Sequence, residues 1–238
     1  MEKRNDNYDD LVENTLKKLL DFFGGHVLSA TSFSQIESGG KPVLLIQLDE
    51  PLVNLLDDSS VSSDGETISP ILKERADFPI YIITSGEIAA FPENFPTELV
   101  HIKNRYRKCF GTDPIGQMSA DFNNLHNAVK TSMQGIVMHL RMAYLSQNYD
   151  DLFIAEIMNR LYPTFESALF LRSQTIPFSL VELTFKIENI YDTKNKVLSE
   201  IAEKIEKQDT KGIAANMFCM LTTLEKILVG VQEITGIQ

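Results

Sequence analysis

Residues Ile80 to Gly111, IYIITSGEIAAFPENFPTELVHIKNRYRKCFG, decide how the rest of this chain is read. Ile80 to Ile83 is a short run of β-branched and aromatic residues, the composition of a buried strand. Thr84-Ser85-Gly86-Glu87 follows as a helix start, with a hydroxyl to cap the first turn and an acid inside it. The pairs Phe91-Pro92 and Phe95-Pro96 are expected to stop that helix, because a residue before proline is pushed out of the α region. Glu98 to Ile102 alternates and predicts a second short strand. Lys103 to Lys108 adds a positive run ahead of Gly111.

Upstream of this stretch the chain reads as mixed helix and strand. Leu11, Val12, Leu16, Leu19, Leu20 and Phe23 recur at helical spacing, and Gly24-Gly25 closes that helix. His26 to Phe33 is a candidate strand, and Ser34 to Lys41 a polar loop. Pro42 to Leu48 (PVLLIQL) is a second strand, whose near-continuous apolar run predicts burial on both faces. Leu52 to Leu56 suggests a helical turn or two, residues 57–65 a Ser/Asp loop, and Ile68 to Arg75 a short helix.

Downstream the character changes to pure helix. Met118, Phe122, Leu125, Val129, Met133, Ile136, Val137, Leu140 and Tyr144 mark one face of a long helix. A second runs from Leu152 through Leu161, with a kink or break expected at Pro163 and an extension over Phe165–Arg172. Pro177–Tyr191, Thr193–Lys207 and Thr210–Ile234 read as three more. The fold class expected is thus α+β or α/β: a mixed-sheet domain over 1–115, followed by an all-α helical bundle over 117–238.

Bulk properties narrow the function classes. A formal net charge of −11 repels phosphate backbones, so a broad nucleic-acid interface is not expected, whereas a local basic pocket suffices for a nucleotide. Cys109 and Cys219 have no metal-ligand spacing and read as reduced thiols. The polar, acidic start lacks the apolar core of a signal peptide, and no apolar run approaches the roughly 20 residues of a membrane span, so a cytoplasmic protein is expected.

The segments FPTELVHIK (95–103), YRKCFGTDPI (106–115) and LRMAYL (140–145), in this order, resemble a nucleotidyltransferase-fold family with an all-helical C-terminal domain. The resemblance covers most of the chain and implies a nucleotidyltransferase-like N-terminal domain. A working member of such a family needs two carboxylates one residue apart on a strand to hold Mg²⁺, and a glycine-serine turn upstream to cradle phosphates. Here Ala30-Thr31-Ser32 stands where the family carries glycine-serine. The alternating acids would fall on about Lys41 and Val43, and no acid-x-acid pair exists between residues 24 and 48. The family's charged positions on the long helix are filled by Lys130, Ser132 and Gln134.

Three readings follow. The leading one is a catalytically degenerate nucleotidyltransferase-like protein, a pseudoenzyme that binds a nucleotide or small phosphorylated ligand or serves as an interaction module. The second is an active Mg-dependent nucleotidyltransferase with a small-molecule acceptor, and only this one requires Mg as cofactor. The third is a toxin–antitoxin-type or structural partner protein. Glu98 is the one candidate catalytic acid, matching the family's strand glutamate, with a structural acid as the bland reading. Thr31, Ser32, Lys41, Arg105, Arg107 and Arg141 are the candidate nucleotide contacts; no metal ligand is assigned. His126 and His139 read as surface histidines, and His26 and His101 have no acid at ligand spacing. Met217, Phe218, Met220, Leu221, Leu224, Ile227 and Leu228 form a wide apolar stripe on the last helix, read first as core packing and second as a homodimer face of the helical domain.

Overall fold

The computed structural model describes residues 6–34, 42–57 and 78–234. The Ser34–Lys41 loop beyond Ser34, most of the Ser/Asp loop and the expected helix at Ile68–Arg75 lie outside the described residues, as does Lys41. The chain is a mixed α+β protein that divides into two compact units. The first comprises 1–94 and 102–119, the second 95–101 and 120–238.

In the first unit α1 (Asp6–Phe23) leads through a single 3₁₀ turn into β1 (Val27–Ser34) and β2 (Pro42–Leu48). Gly24 closes α1 at φ +57°, the left-handed stop its position predicts. A short α2 (Leu52–Asp57) follows, then β3 (Ile80–Thr84), α3 (Ser85–Asn94), α4 (Pro96–Arg105), β4 (Arg107–Gly111) and α5 (Pro114–Gln117). The sheet order is β3-β2-β1-β4. β1 is antiparallel to both β2 and β4, and β2 is parallel to β3.

β2 is the centre of this unit, and its residues from Val43 to Leu48 are all buried. Strand alternation divides them between two cores. Leu44, Ile46 and Leu48 join Val12, Leu16, Leu19 and Phe23 of α1 on one face. Val43 and Leu45 meet Phe33, Ile102 and Ile115 on the other. The continuous apolar run therefore means what its composition implies, a strand covered on both sides.

One expectation holds in part around Pro96 and another fails. α3 runs through Pro92 and ends at Asn94, so Phe95-Pro96 stops it and Phe91-Pro92 does not. Glu98 to Ile102, expected as a strand, is helical within α4. The helix has ordinary punctuation: Pro96 at its first position, Glu98 in the first turn, and Lys103 and Arg105 in the last. Leu99, Val100, His101 and Ile102 are all buried, so burial here does not alternate as it would on a half-buried strand. The positive run Lys103–Lys108 divides between the end of α4 and the start of a strand, β4. Gly111 ends β4 at φ +68°, and a Cβ there would lie 2.0 Å from the Leu28 carbonyl oxygen, so only glycine fits.

The expected capping of α3 is present in full. The Glu87 amide donates to Thr84 Oγ1 at 3.3 Å, while Glu87 Oε2 accepts from the Thr84 amide at 2.7 Å and its hydroxyl at 2.9 Å. These bonds to Thr84, the backbone one first, hold the Glu87 carboxyl below its ordinary pKa.

The second unit is helical: α6 (Phe122–Ser146), α7 (Asp151–Leu171), α8 (Leu180–Ile190), α9 (Val197–Glu206) and α10 (Met217–Gln232), with the start of α4. α7 continues past Pro163 without a break. The last three helices begin later than expected, after side-chain-bonded loops. Asp151, for example, reaches across to accept from the amides of Gly212 and Ala214 at 2.9 and 2.8 Å, which lowers its pKa and fixes the turn before α10. Residues Ile213–Gln232 are long and apolar enough to cross a membrane, with mean hydropathy 1.4, contrary to the expectation that no such run exists. Within this unit they pack as a core helix: Met217, Met220, Leu221, Leu224, Ile227 and Val231 are buried.

Candidate functional site

The residues singled out from sequence fall in both units and are described unit by unit. Thr31 and Ser32 sit mid-strand in β1 and are both buried. Being neighbours on a strand, they point to opposite faces. Ser32 accepts a hydrogen bond from the Cys109 thiol (3.3 Å) on the face where Ala30 packs against α1, whereas Thr31 shares the face of Phe33. One phosphate cannot take both hydroxyls. β4 places Arg107 across from Ser32 and Lys108 across from Thr31, so each hydroxyl has a cationic residue as its cross-strand neighbour. Arg105 ends α4.

Glu98 is not a strand glutamate. It is exposed on α4 and accepts from the Thr97 hydroxyl at 2.8 Å, the position and bonding of a first-turn helix acid. Arg141 is likewise committed, forming a 2.8 Å ion pair with Glu225. Glu98 and Arg141 belong to the helical unit, while Thr31, Ser32, Arg105 and Arg107 belong to the sheet unit.

The chemistry of the sheet does not fit a bound Mg²⁺. Among the described residues, none of the four strands carries an Asp or Glu. A hard divalent cation takes oxygen ligands, chiefly carboxylates, and this sheet offers only hydroxyls, one amide and backbone carbonyls beside its cations. Gln47 is that amide, and the sequence reading passed over it. Its Oε1 accepts from Ser29 Oγ at 2.9 Å and its Nε2 donates to Ser85 Oγ at 3.2 Å, linking β1, β2 and the start of α3. Gln47 is thereby satisfied as a structural tie.

Two histidines read as lacking acid partners have them. His26 Nδ1 lies 3.0 Å from Asp49 at the exposed end of the β1–β2 hairpin. His101 Nδ1 lies 2.5 Å from Glu166 in the helical unit, where Glu166 is fully buried and the ring of Tyr162 stands edge-on to the imidazole. Only the fold brings these together; no spacing signals them. His126 instead bonds the Val231 carbonyl oxygen (2.9 Å) and His139 contacts Arg160 (3.3 Å).

The positive run from Lys103 is tied down in part. Lys103 Nζ donates to the carbonyls of Met118 and Gly116 at the end of α5. Tyr106 donates to Asp113 at 3.1 Å, and burial first, then this carboxylate, raise its phenol pKa. A shallow groove of about 300 Å³ between α8 and α9 is lined by Val181, Phe185, Ser199 and the carboxylates of Glu182, Glu200 and Glu203. Its Ser199 hydroxyl is already bonded to Glu188 and its Glu203 to Lys207. Comparison with known proteins finds no family model that matches the chain and no curated protein that does so.

Proposed function

We propose that this chain is a catalytically degenerate, nucleotidyltransferase-like protein that acts by binding and not by turnover. The observation that supports this reading is the sheet of the described residues: four strands without one carboxylate, where a metal-dependent nucleotidyl transfer would need two. Within the sheet unit, the parting of Thr31 and Ser32 to opposite faces supports it further. The test is incubation with nucleoside triphosphates and Mg²⁺, followed by chromatography of the nucleotides. No Mg²⁺-dependent consumption is expected. Consumption that Glu98→Gln abolishes would overturn the reading and restore the active-transferase alternative.

Of the two hydroxyl–cation cross-strand pairs, Ser32–Arg107 is the one this reading gives to a phosphorylated ligand, because a guanidinium takes a phosphate by two parallel hydrogen bonds. Ligand at about 100 times its dissociation constant stabilises a fold by roughly 2.7 kcal/mol. A nucleotide bound there should raise the melting temperature with or without chelator, and Arg107→Ala should remove the shift. A shift that Arg107→Ala leaves intact would place the ligand elsewhere.

A further inference from the structure

From Leu99 to Thr112 the chain has no Asp or Glu, although it carries 33 acids and a net charge of −11. Lys103, Arg105, Arg107 and Lys108 fall within that span, so it holds four cations against no anion. Asp113, the acid that follows, accepts from the Tyr106 hydroxyl and the Gly116 amide, and counting it still leaves an excess of three. These four cations and Asp113 lie in the sheet unit.

Folding sets the end of this run on an edge. β4 is the terminal strand of the order β3-β2-β1-β4, and β1 takes one side of its backbone. Among the described residues no strand pairs with the other side, which leaves a row of N–H and C=O groups for an incoming chain. Lys108 and Phe110, at alternate positions, are exposed, whereas Arg107 and Cys109 are half-buried. No carboxylate on the described strands offsets Arg107 or Lys108.

We infer that β4 is a docking edge, and that its occupant is an acidic, extended segment of a partner protein, added to the sheet as a fifth strand. Backbone bonds supply the attraction common to any strand, and charge selects which strand. A second copy pairing β4 with β4 would bring two cationic runs into one ladder, where like charges destabilise. A strand with acidic side chains meets Arg107 and Lys108 as opposite-charge neighbours across the ladder, which stabilise it. The cations that guard this edge against its own copies therefore admit an acid-bearing chain. A polynucleotide would be drawn to the same run, but the net charge of −11 repels a long phosphate backbone. A peptide as short as the five residues of β4 touches only the strand.

The inference is independent of the degenerate-enzyme reading, and Arg107, given above to a phosphorylated ligand, is left unchanged in its test. The full chain is titrated into the fluorescein-labelled peptide Glu-Val-Glu-Val-Glu-Val, followed by fluorescence anisotropy at about 10 mM and about 150 mM NaCl. Saturable binding is expected, weaker at the higher salt, with the dissociation constant raised about 10-fold or more by Lys108→Glu. The same peptide N-methylated at every residue keeps its charge but loses its ladder donors, and should not bind. Because Lys108 is exposed, the variant should fold, with an unchanged circular dichroism spectrum. No binding of the acidic peptide, binding indifferent to Lys108→Glu, equal binding of the N-methylated peptide, or binding of a thymidine oligonucleotide in place of the peptide would each overturn the assignment.

Discussion

Glu188 shows how a single buried carboxyl can set a local geometry. It lies at the core side of α8, accepting from the Leu198 amide at 2.8 Å and the Ser199 hydroxyl at 2.7 Å, so that it caps the start of α9 from a distance. Burial is the largest influence on its pKa and raises it, against the opposing pull of those hydrogen bonds. The folded state thus holds the proton more tightly than the unfolded chain does. Its contribution is fully present below the ordinary value of 4.5 and is lost as pH rises through the raised value. Glu188→Gln keeps an acceptor for Leu198 and removes the titration. Its stability relative to wild type should therefore improve as pH rises from 4 towards 7, measured by urea denaturation across that range. Glu188→Leu leaves the Leu198 amide unsatisfied and should cost about 1–3 kcal/mol. A Gln variant whose relative stability falls with rising pH would refute this account.

Helix ends set the element scale, and in the helical unit they are unusual. α6, α7, α8 and α9 are followed by Gln147, Ser173, Asp192 and Gln208 at φ +51°, +53°, +48° and +57°. A left-handed residue at the end of a helix is ordinarily glycine, because a Cβ makes that conformation costly by about 1 kcal/mol. Here each position carries a side chain. Ser173→Gly and Gln208→Gly should each stabilise the protein by roughly 0.5–1 kcal/mol, read as a higher urea midpoint at unchanged slope. A loss of stability would mean that the side chain contributes more than the backbone strain costs. The missing glycines also explain why the helix ends were hard to place from sequence. Gly24 and Gly111, by contrast, sit at φ +57° and +68°, and each closes the element before it.

For the whole molecule the governing quantity is charge. Thirty-three acids against 22 basic residues leave an excess that works against any compact state. Screening should relieve it, so the melting temperature should rise as NaCl increases from about 10 mM to about 150 mM, where the Debye length shortens from about 30 to about 8 Å. Differential scanning calorimetry at the two salt concentrations checks this, and a fall in melting temperature would show that specific ion pairs outweigh the general repulsion. The few ion pairs resolved at the surface, such as Lys207–Glu203 and Arg141–Glu225, are the exposed kind that contribute little.

Sequence alone determined what depends on local pattern. The α1 stripe, the doubly buried β2, the Thr84–Glu87 cap and the turn from mixed structure to pure helix all follow from periodicity, composition and capping chemistry within a few residues. The lack of an acid-x-acid pair between residues 24 and 48 was legible too, because an absent residue type needs no fold to be noticed. Tertiary structure decided the rest. Glu98 to Ile102 fits a strand or a helix, and burial of Leu99 through Ile102 together selected the helix. Arg107–Gly111 became a strand because β1 offered an edge to pair with. His101 and Glu166 are 65 residues apart, and packing alone makes them partners. Thr31 and Ser32, adjacent in the chain, are parted by the sheet. Local propensity is written in neighbouring residues. Convergence of distant side chains is a property of packing, and no spacing along the chain encodes it.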